Sequence, residues 1–108
     1  MKEQHALNAF SVLSNATRLR MLKCLVSADS NGLVAGELAK SVGASPSRAS
    51  FHLAAMSRAG LITSVRKSRQ MVYSVNFEAV GELMRYLMQD CCQNNSIVLS
   101  CCNKASSC

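Results

Sequence analysis

Residues 46–76 read PSRASFHLAAMSRAGLITSVRKSRQMVYSVN, and no other stretch limits the fold so tightly. Ser45 is a natural N-cap, and Pro46 suits the first helical position because its missing N–H would have no partner there. Ala49, Leu53 and Met56 then recur at helical spacing and mark an inward stripe. Past Gly60 the period drops to two. Leu61, Thr63 and Val65 alternate with Ile62, Ser64 and Arg66, while Met71, Tyr73 and Val75 alternate with Gln70, Val72 and Ser74. Lys67-Ser68-Arg69 joins the two runs as a hairpin tip. A helix followed by a basic hairpin is the second half of a winged helix-turn-helix, which sets a helix N-terminus and a positive loop on one side of the molecule.

The rest of the chain completes that layout. Leu7, Phe10 and Leu13 mark a first helix. Asn15 caps a second that carries Leu19, Leu22, Leu25 and Val26 and stops before Asp29-Ser30-Asn31-Gly32. Val34, Leu38 and Val42 mark a third, closed by Gly43. Only Ala44 and Ser45 separate Gly43 from Pro46, the tight turn that a helix-turn-helix requires. Asn76 caps a last helix bearing Phe77, Val80, Leu83, Met84, Tyr86, Leu87 and Met88. Their arc is too wide for a helix packed on one side only. The expected fold is therefore mainly α with a β-hairpin wing, in the order ααααββα, homodimeric through the last helix. The polar break Gln93-Asn94-Asn95-Ser96 divides the chain into a domain, 1–92, and a cysteine-containing tail, 93–108.

With 108 residues there is room for one domain. Twelve Lys+Arg against six Asp+Glu leave a net charge of +6, which favours a polyanion, here double-stranded DNA. No segment reaches the roughly 18 apolar residues of a membrane span, and MKEQHALNAF lacks a signal-peptide apolar core, so a cytoplasmic protein with no membrane partner is expected. Six cysteines in that compartment point to thiolate ligands or thiol redox chemistry rather than a disulfide framework. There is no phosphate loop, no Cys-His-acid set and no general acid–base pair, so no enzyme and no prosthetic group are expected.

Ser47, Arg48, Phe51, Ala55 and Arg58 are read as the face opposite the Ala49-Leu53-Met56 stripe. Ser47 and Arg48 can reach base edges, and Phe51 a thymine methyl. His52 flanks the stripe and suits a hydrogen bond that fixes the helix or meets a phosphate better than metal ligation, since no second His is near. Arg66, Lys67 and Arg69 stand where a wing passes the DNA backbone. Cys24, in an apolar helix, and the scattered methionines read as packing residues.

These motifs together resemble the ArsR/SmtB family of metal- and metalloid-sensing repressors. The resemblance spans residues 4–92. It is carried by Asn15-Ala16-Thr17-Arg18-Leu19, Gly36-Glu37-Leu38-Ala39, Ser50-Phe51-His52-Leu53, Arg58-Ala59-Gly60-Leu61-Ile62 and Tyr73. It implies a homodimer that blocks an operator, with first and last helices at the dimer interface, Ser50 and His52 within the DNA-binding helix, and release when an inducer binds. Two departures matter. Arsenic sensors with a cysteine pair after Glu-Leu on helix three have it where this chain has Ala39-Lys40-Ser41. Zinc sensors have His and acidic ligands on the last helix, but this chain has only His5 and His52. What remains is CCQNNSIVLSCC, residues 91–102, and Asp90-Cys91-Cys92 looks like the sequence of family members that sense trivalent arsenic near the end of the last helix.

Neighbouring residues on a helix point about 100° apart, so Cys91 and Cys92 chelate one centre poorly while the helix runs through them. Cys101 and Cys102 lie past the polar break, in chain expected to bend both sulfurs toward one centre. Soft thiolates without a His or carboxylate partner suit a trivalent arsenical better than zinc or nickel. The expected inducer is arsenite or a methylated trivalent arsenical on Cys101 and Cys102, with Cys91 or Cys92 able to add a third sulfur. Disulfide or persulfide chemistry at the same thiols, or a thiol buffer with no DNA-binding role, are the alternatives.

Overall fold

The computed structural model describes residues 1–103; the lone Cys108 falls outside them. The chain runs α1 (Glu3–Leu13), α2 (Ala16–Ala28), a 3₁₀ turn (Asp29–Asn31) and β1 (Leu33–Val34). It continues through α3 (Ala35–Val42), α4 (Pro46–Arg58), β2 (Ile62–Lys67), β3 (Gln70–Val75) and α5 (Phe77–Arg85). A π-helical segment (Tyr86–Cys91) and α6 (Ser96–Asn103) end it. Winged helix-turn-helix is the architecture found, with two additions to the expected order, β1 and α6.

The starts of α2, α4 and α5 are chemically specified. Asn15 Oδ1 accepts the Arg18 N–H at 3.1 Å, Ser45 Oγ the Arg48 N–H at 3.3 Å, and Asn76 Oδ1 the Ala79 N–H at 3.2 Å. Gly43 ends α3 in the left-handed region at φ 67°, and Pro46 opens α4. These caps define the sharp α3–α4 turn.

The sheet order is β1-β3-β2, all antiparallel. Ile62 pairs with Val75 at the root of the hairpin and Lys67 with Gln70 at its tip, across Ser68-Arg69. β1 pairs only Leu33 with Tyr73 and Val34 with Val72. Val34, expected in the third helix, thus belongs to this strand. Gly32, just before it, has φ 69°, and a Cβ there would fall 2.6 Å from the Tyr73 carbonyl oxygen. Only glycine brings the chain into β1 at that distance.

One core holds the helices on the sheet: Met21, Leu25, Leu38, Leu53, Met56, Leu61, Ile62, Val75 and Leu83, with Ala6 and Ala9 from α1. Two features of the packing stand out, the second a correction to the sequence reading. α1 turns its small residues inward, leaving Leu7 53% exposed and Phe10 exposed as well. Ala55, expected on the outer face of α4, is buried, because α1 lies over that side; Asn8, Ser11 and Val12 flank it.

Candidate nucleic-acid interface and thiol arm

Where α2 and α4 begin, their N-termini border one cleft of about 400 Å³, lined by Asn15, Thr17, Ser47, Arg48, Phe51 and His52. The caps Asn15 and Ser45 set both helix ends there, so the positive ends of two helix dipoles meet the same space. Four expected DNA-binding residues are brought together in this cleft: Ser47, Arg48, Phe51 and His52. Ser50 is exposed on α4 but stands outside the lining. Phe51 is 62% exposed, an aromatic ring presented to solvent from the middle of a helix.

Arg18, from α2, organises the cleft from behind. Its Nε–H donates to His52 Nδ1 at 3.0 Å, and its Nη1 to the Val12 carbonyl of α1 at 3.4 Å. Its guanidinium lies 5.8 Å from the Phe51 ring centroid, within cation–π range. The Phe51 and His52 rings meet edge to face, centroids 5.8 Å apart. Burial, then the positive charges of Arg18 and Arg48, push the His52 pKa below 6.5. Sequence reasoning placed Asn15 as a cap and Arg18 within a motif, but gave neither Arg18 nor Thr17 a part in the site. The available signal was a basic residue three positions after a cap, on a helix otherwise apolar on that side.

Arg66 and Lys67 end β2, and Arg69 sits in the two-residue turn; all three are exposed. The turn is strained, since Ser68 takes φ 61° where glycine is favoured. The wing tip is thus a separate positive surface, apart from the cleft.

The thiols are arranged differently from expectation. Beyond α5 the backbone loosens into the π-helical segment, with Cys92 N–H donating to the Leu87 carbonyl at 2.9 Å and Asn94 N–H to Met88 at 2.7 Å. Cys91 is its exposed last residue, and Cys92 the half-buried residue that follows. Gln93 and Asn94, at φ 50° and 55°, reverse the chain. Asn95 then caps a new helix by accepting the N–H groups of Ile97 and Val98 at 2.9 and 3.3 Å. Cys101 and Cys102 are therefore consecutive, exposed residues of α6, not of a bendable tail. Among the described residues no three His, Cys, Asp or Glu side chains are gathered as for a metal ion. Within one subunit a three-sulfur centre is therefore not preassembled among the described residues. Nearby, burial, Glu3, Cys91 and Asp90 raise the Tyr86 hydroxyl pKa above 10.0.

Residues 13–65 match the model of a helix-turn-helix domain, which ends inside the wing. Among solved structures, an ArsR-like transcriptional regulator from Rhodococcus sp. RHA1 superposes with TM-score 0.73 over 90% of this chain and 89% of its own, at 23% identity. A structure described as a possible transcriptional regulator for arsenical resistance gives TM-score 0.66 at 28% identity, over 77% of this chain and 82% of its own. The sequence is also 37% identical over 89 residues, 82% of this chain and 88% of the relative, to the HTH-type transcriptional regulator YgaV of Escherichia coli (strain K12). The chain belongs to the ArsR family of winged-helix transcriptional regulators. Among the described residues no helix is long and apolar enough to cross a membrane.

Proposed function

We propose that this ArsR-family regulator is a homodimeric repressor that grips operator DNA through the α4 cleft and the wing, and is released by trivalent arsenicals bound at its C-terminal thiols. The observation that carries the DNA-binding part is the cleft itself. It joins two helix N-termini to Arg48, His52 and an exposed Phe51, a combination suited to phosphates and to a thymine methyl. Arg66, Lys67 and Arg69 add backbone contacts from the wing.

Dimerisation is supported by surface accounting. The chain exposes 7236 Å², whereas a compact monomer of 11.6 kDa exposes roughly 5,800 Å². Leu7 and Phe10 on α1 and Phe77 and Met84 on α5 are exposed, as is Leu87 just beyond. Leu83, by contrast, lies in the subunit's own core. Charged replacements at Met84 and Leu87 should therefore give folded monomers, whereas one at Leu83 should unfold the chain. A tight-binding monomer in sedimentation would defeat the dimer model.

For the inducer, Cys101 and Cys102 form the core pair, with Cys91 or Cys92 as additional sulfur donors. Consecutive helical residues diverge, so capturing one arsenic with both sulfurs requires a turn of α6 to open. An exposed eight-residue helix at the end of the described chain gives up that turn at little cost. Because a third sulfur must be brought from elsewhere, a methylated trivalent arsenical, which takes two, should act at lower concentration than arsenite. The relative described for arsenical resistance lends support of a general kind.

The test is release of the full-length protein from its operator by each compound. Cys101→Ser/Cys102→Ser should bind DNA normally and lose the response, a coupling of about 1–3 kcal/mol or roughly 5–150-fold in affinity. Cys24→Ser and Cys108→Ser should respond as the parent does. Normal release of the double variant by arsenicals would rule the thiol site out. Release by peroxide or polysulfide alone, with the matching mass change on these cysteines, would replace the signal and leave the DNA-binding role intact.

A further inference from the structure

The contact between Arg18 and His52 says more than that two helices touch. A guanidinium donates and cannot accept, so the imidazole Nδ1 that receives its Nε–H at 3.0 Å must present a lone pair. A neutral imidazole carries one N–H, which then sits on Nε2, the far side of the ring. We propose that Arg18 is a positioning residue that fixes His52 as a neutral Nε2–H donor aimed at a phosphate oxygen of bound DNA.

Three observations converge on this assignment. His52 lines the cleft with Asn15, Thr17, Ser47 and Arg48, so the ring has an open side. Its other side is taken: Arg18 is itself anchored to the Val12 carbonyl and packed near Phe51, which leaves the guanidinium little freedom. The charged groups facing the ring are Arg18 from α2 and Arg48 from α4, both positive, and with burial they oppose a second proton. Protonating Nδ1 would set two N–H groups head to head and add a cation beside two others. The result is a donor that holds its direction and stays neutral to lower pH than an unpartnered histidine. DNA affinity is thereby made less sensitive to pH at this position.

The inference rests on the operator-binding reading, and the experiment separates the two. Long-range ¹H–¹⁵N NMR on the full-length protein without DNA should find His52 wholly as the Nε2–H tautomer, still neutral below pH 6.5. A mixture of tautomers, or the Nδ1–H form, overturns the proposal. Binding is then followed from pH 5.5 to 8.0 on duplexes enriched by the wild-type protein from a random library. The parent should change less with pH than the Arg18→Gln variant does. Arg18→Gln should bind severalfold tighter at the acidic end, because loss of the Arg18 charge lets the His52 pKa rise part of the way back, burial and Arg48 still holding it down, so that the ring gains a proton at the phosphate more readily. Adding His52→Gln to that variant should abolish the pH dependence. Retention of the dependence in the double variant, or its absence in a folded Arg18→Gln protein, overturns the positioning role alone. Should Arg18→Gln fail to fold, His52→Gln carries the test: its amide can replace the donor, so affinity should stay within severalfold and remain flat. Loss of binding by that variant would mean the ring does something other than donate. Wild-type protein that enriches no duplex would sink the operator reading instead.

Discussion

The reading core, α2 to β3, and the thiol arm, residues 86–103, are held by different physics. In the core, capped helices close on Met21, Leu25, Leu38, Leu53 and Met56, all essentially inaccessible to water. In the arm none of residues 86–103 is fully buried, the backbone passes through a π-helical stretch, and two successive left-handed residues turn it. Under the proposed function, that division puts rigidity where DNA would be met and looseness where a signal would be taken up. Local opening draws on segments with few buried contacts, so an arm of this kind can rearrange without the cost of unfolding the domain.

The sharpest challenge to this contrast is a pair of alanine replacements followed by urea denaturation. Leu53→Ala should cost about 2–5 kcal/mol, since it empties a closed part of the core. Ile97→Ala, at a residue 77% exposed, should stay within about 0.5 kcal/mol. A large loss at Ile97 would mean that α6 is packed against a partner subunit, and the arm would no longer count as loose. Next in size is Gly32→Ala, which meets both a positive φ and the Tyr73 carbonyl; a loss of about 1–3 kcal/mol is expected from the conformation alone. A neutral result would show that β1 can shift and that the core is softer than drawn. The smallest effect belongs to the wing. Ser68→Gly should gain up to about 1 kcal/mol by relieving the left-handed turn while leaving the three basic side chains in place. A loss there would mean that the serine side chain has a role the turn geometry does not explain.

What could be read in advance divides along the same line. Gly43, Ser45, Pro46 and Asn76 are strong local signals, and the elements they bound are where the sequence places them. β1 escaped because two residues are too few to show a period. The inward turn of Ala6 and Ala9 escaped because Leu7, Phe10 and Leu13 share a helical spacing too, and apolar periodicity cannot tell a core face from one kept for a partner. Within the site, Ser47, Arg48, Phe51 and His52 were legible from the turn before them. The contribution of Arg18 required tertiary structure, since it acts across 34 residues of sequence. α6 was hidden by its own cap: Asn95 lies in a polar run that reads as a break, yet its side chain starts the helix that carries Cys101 and Cys102.

Asn76 leaves a mechanical consequence. Its Oδ1 starts α5, its Nδ2 donates to the Gly60 carbonyl at 3.1 Å, and its backbone N–H donates to the Leu61 carbonyl at 2.9 Å. One residue thus welds the start of α5 to the chain leaving α4 and to the base of the hairpin. The wing has no hinge of its own at that root. Under the proposed function, a displacement delivered along α5 would carry α4 and the wing together, like a key turned by its bow, so that both grips on DNA would be set or lost in a single stroke.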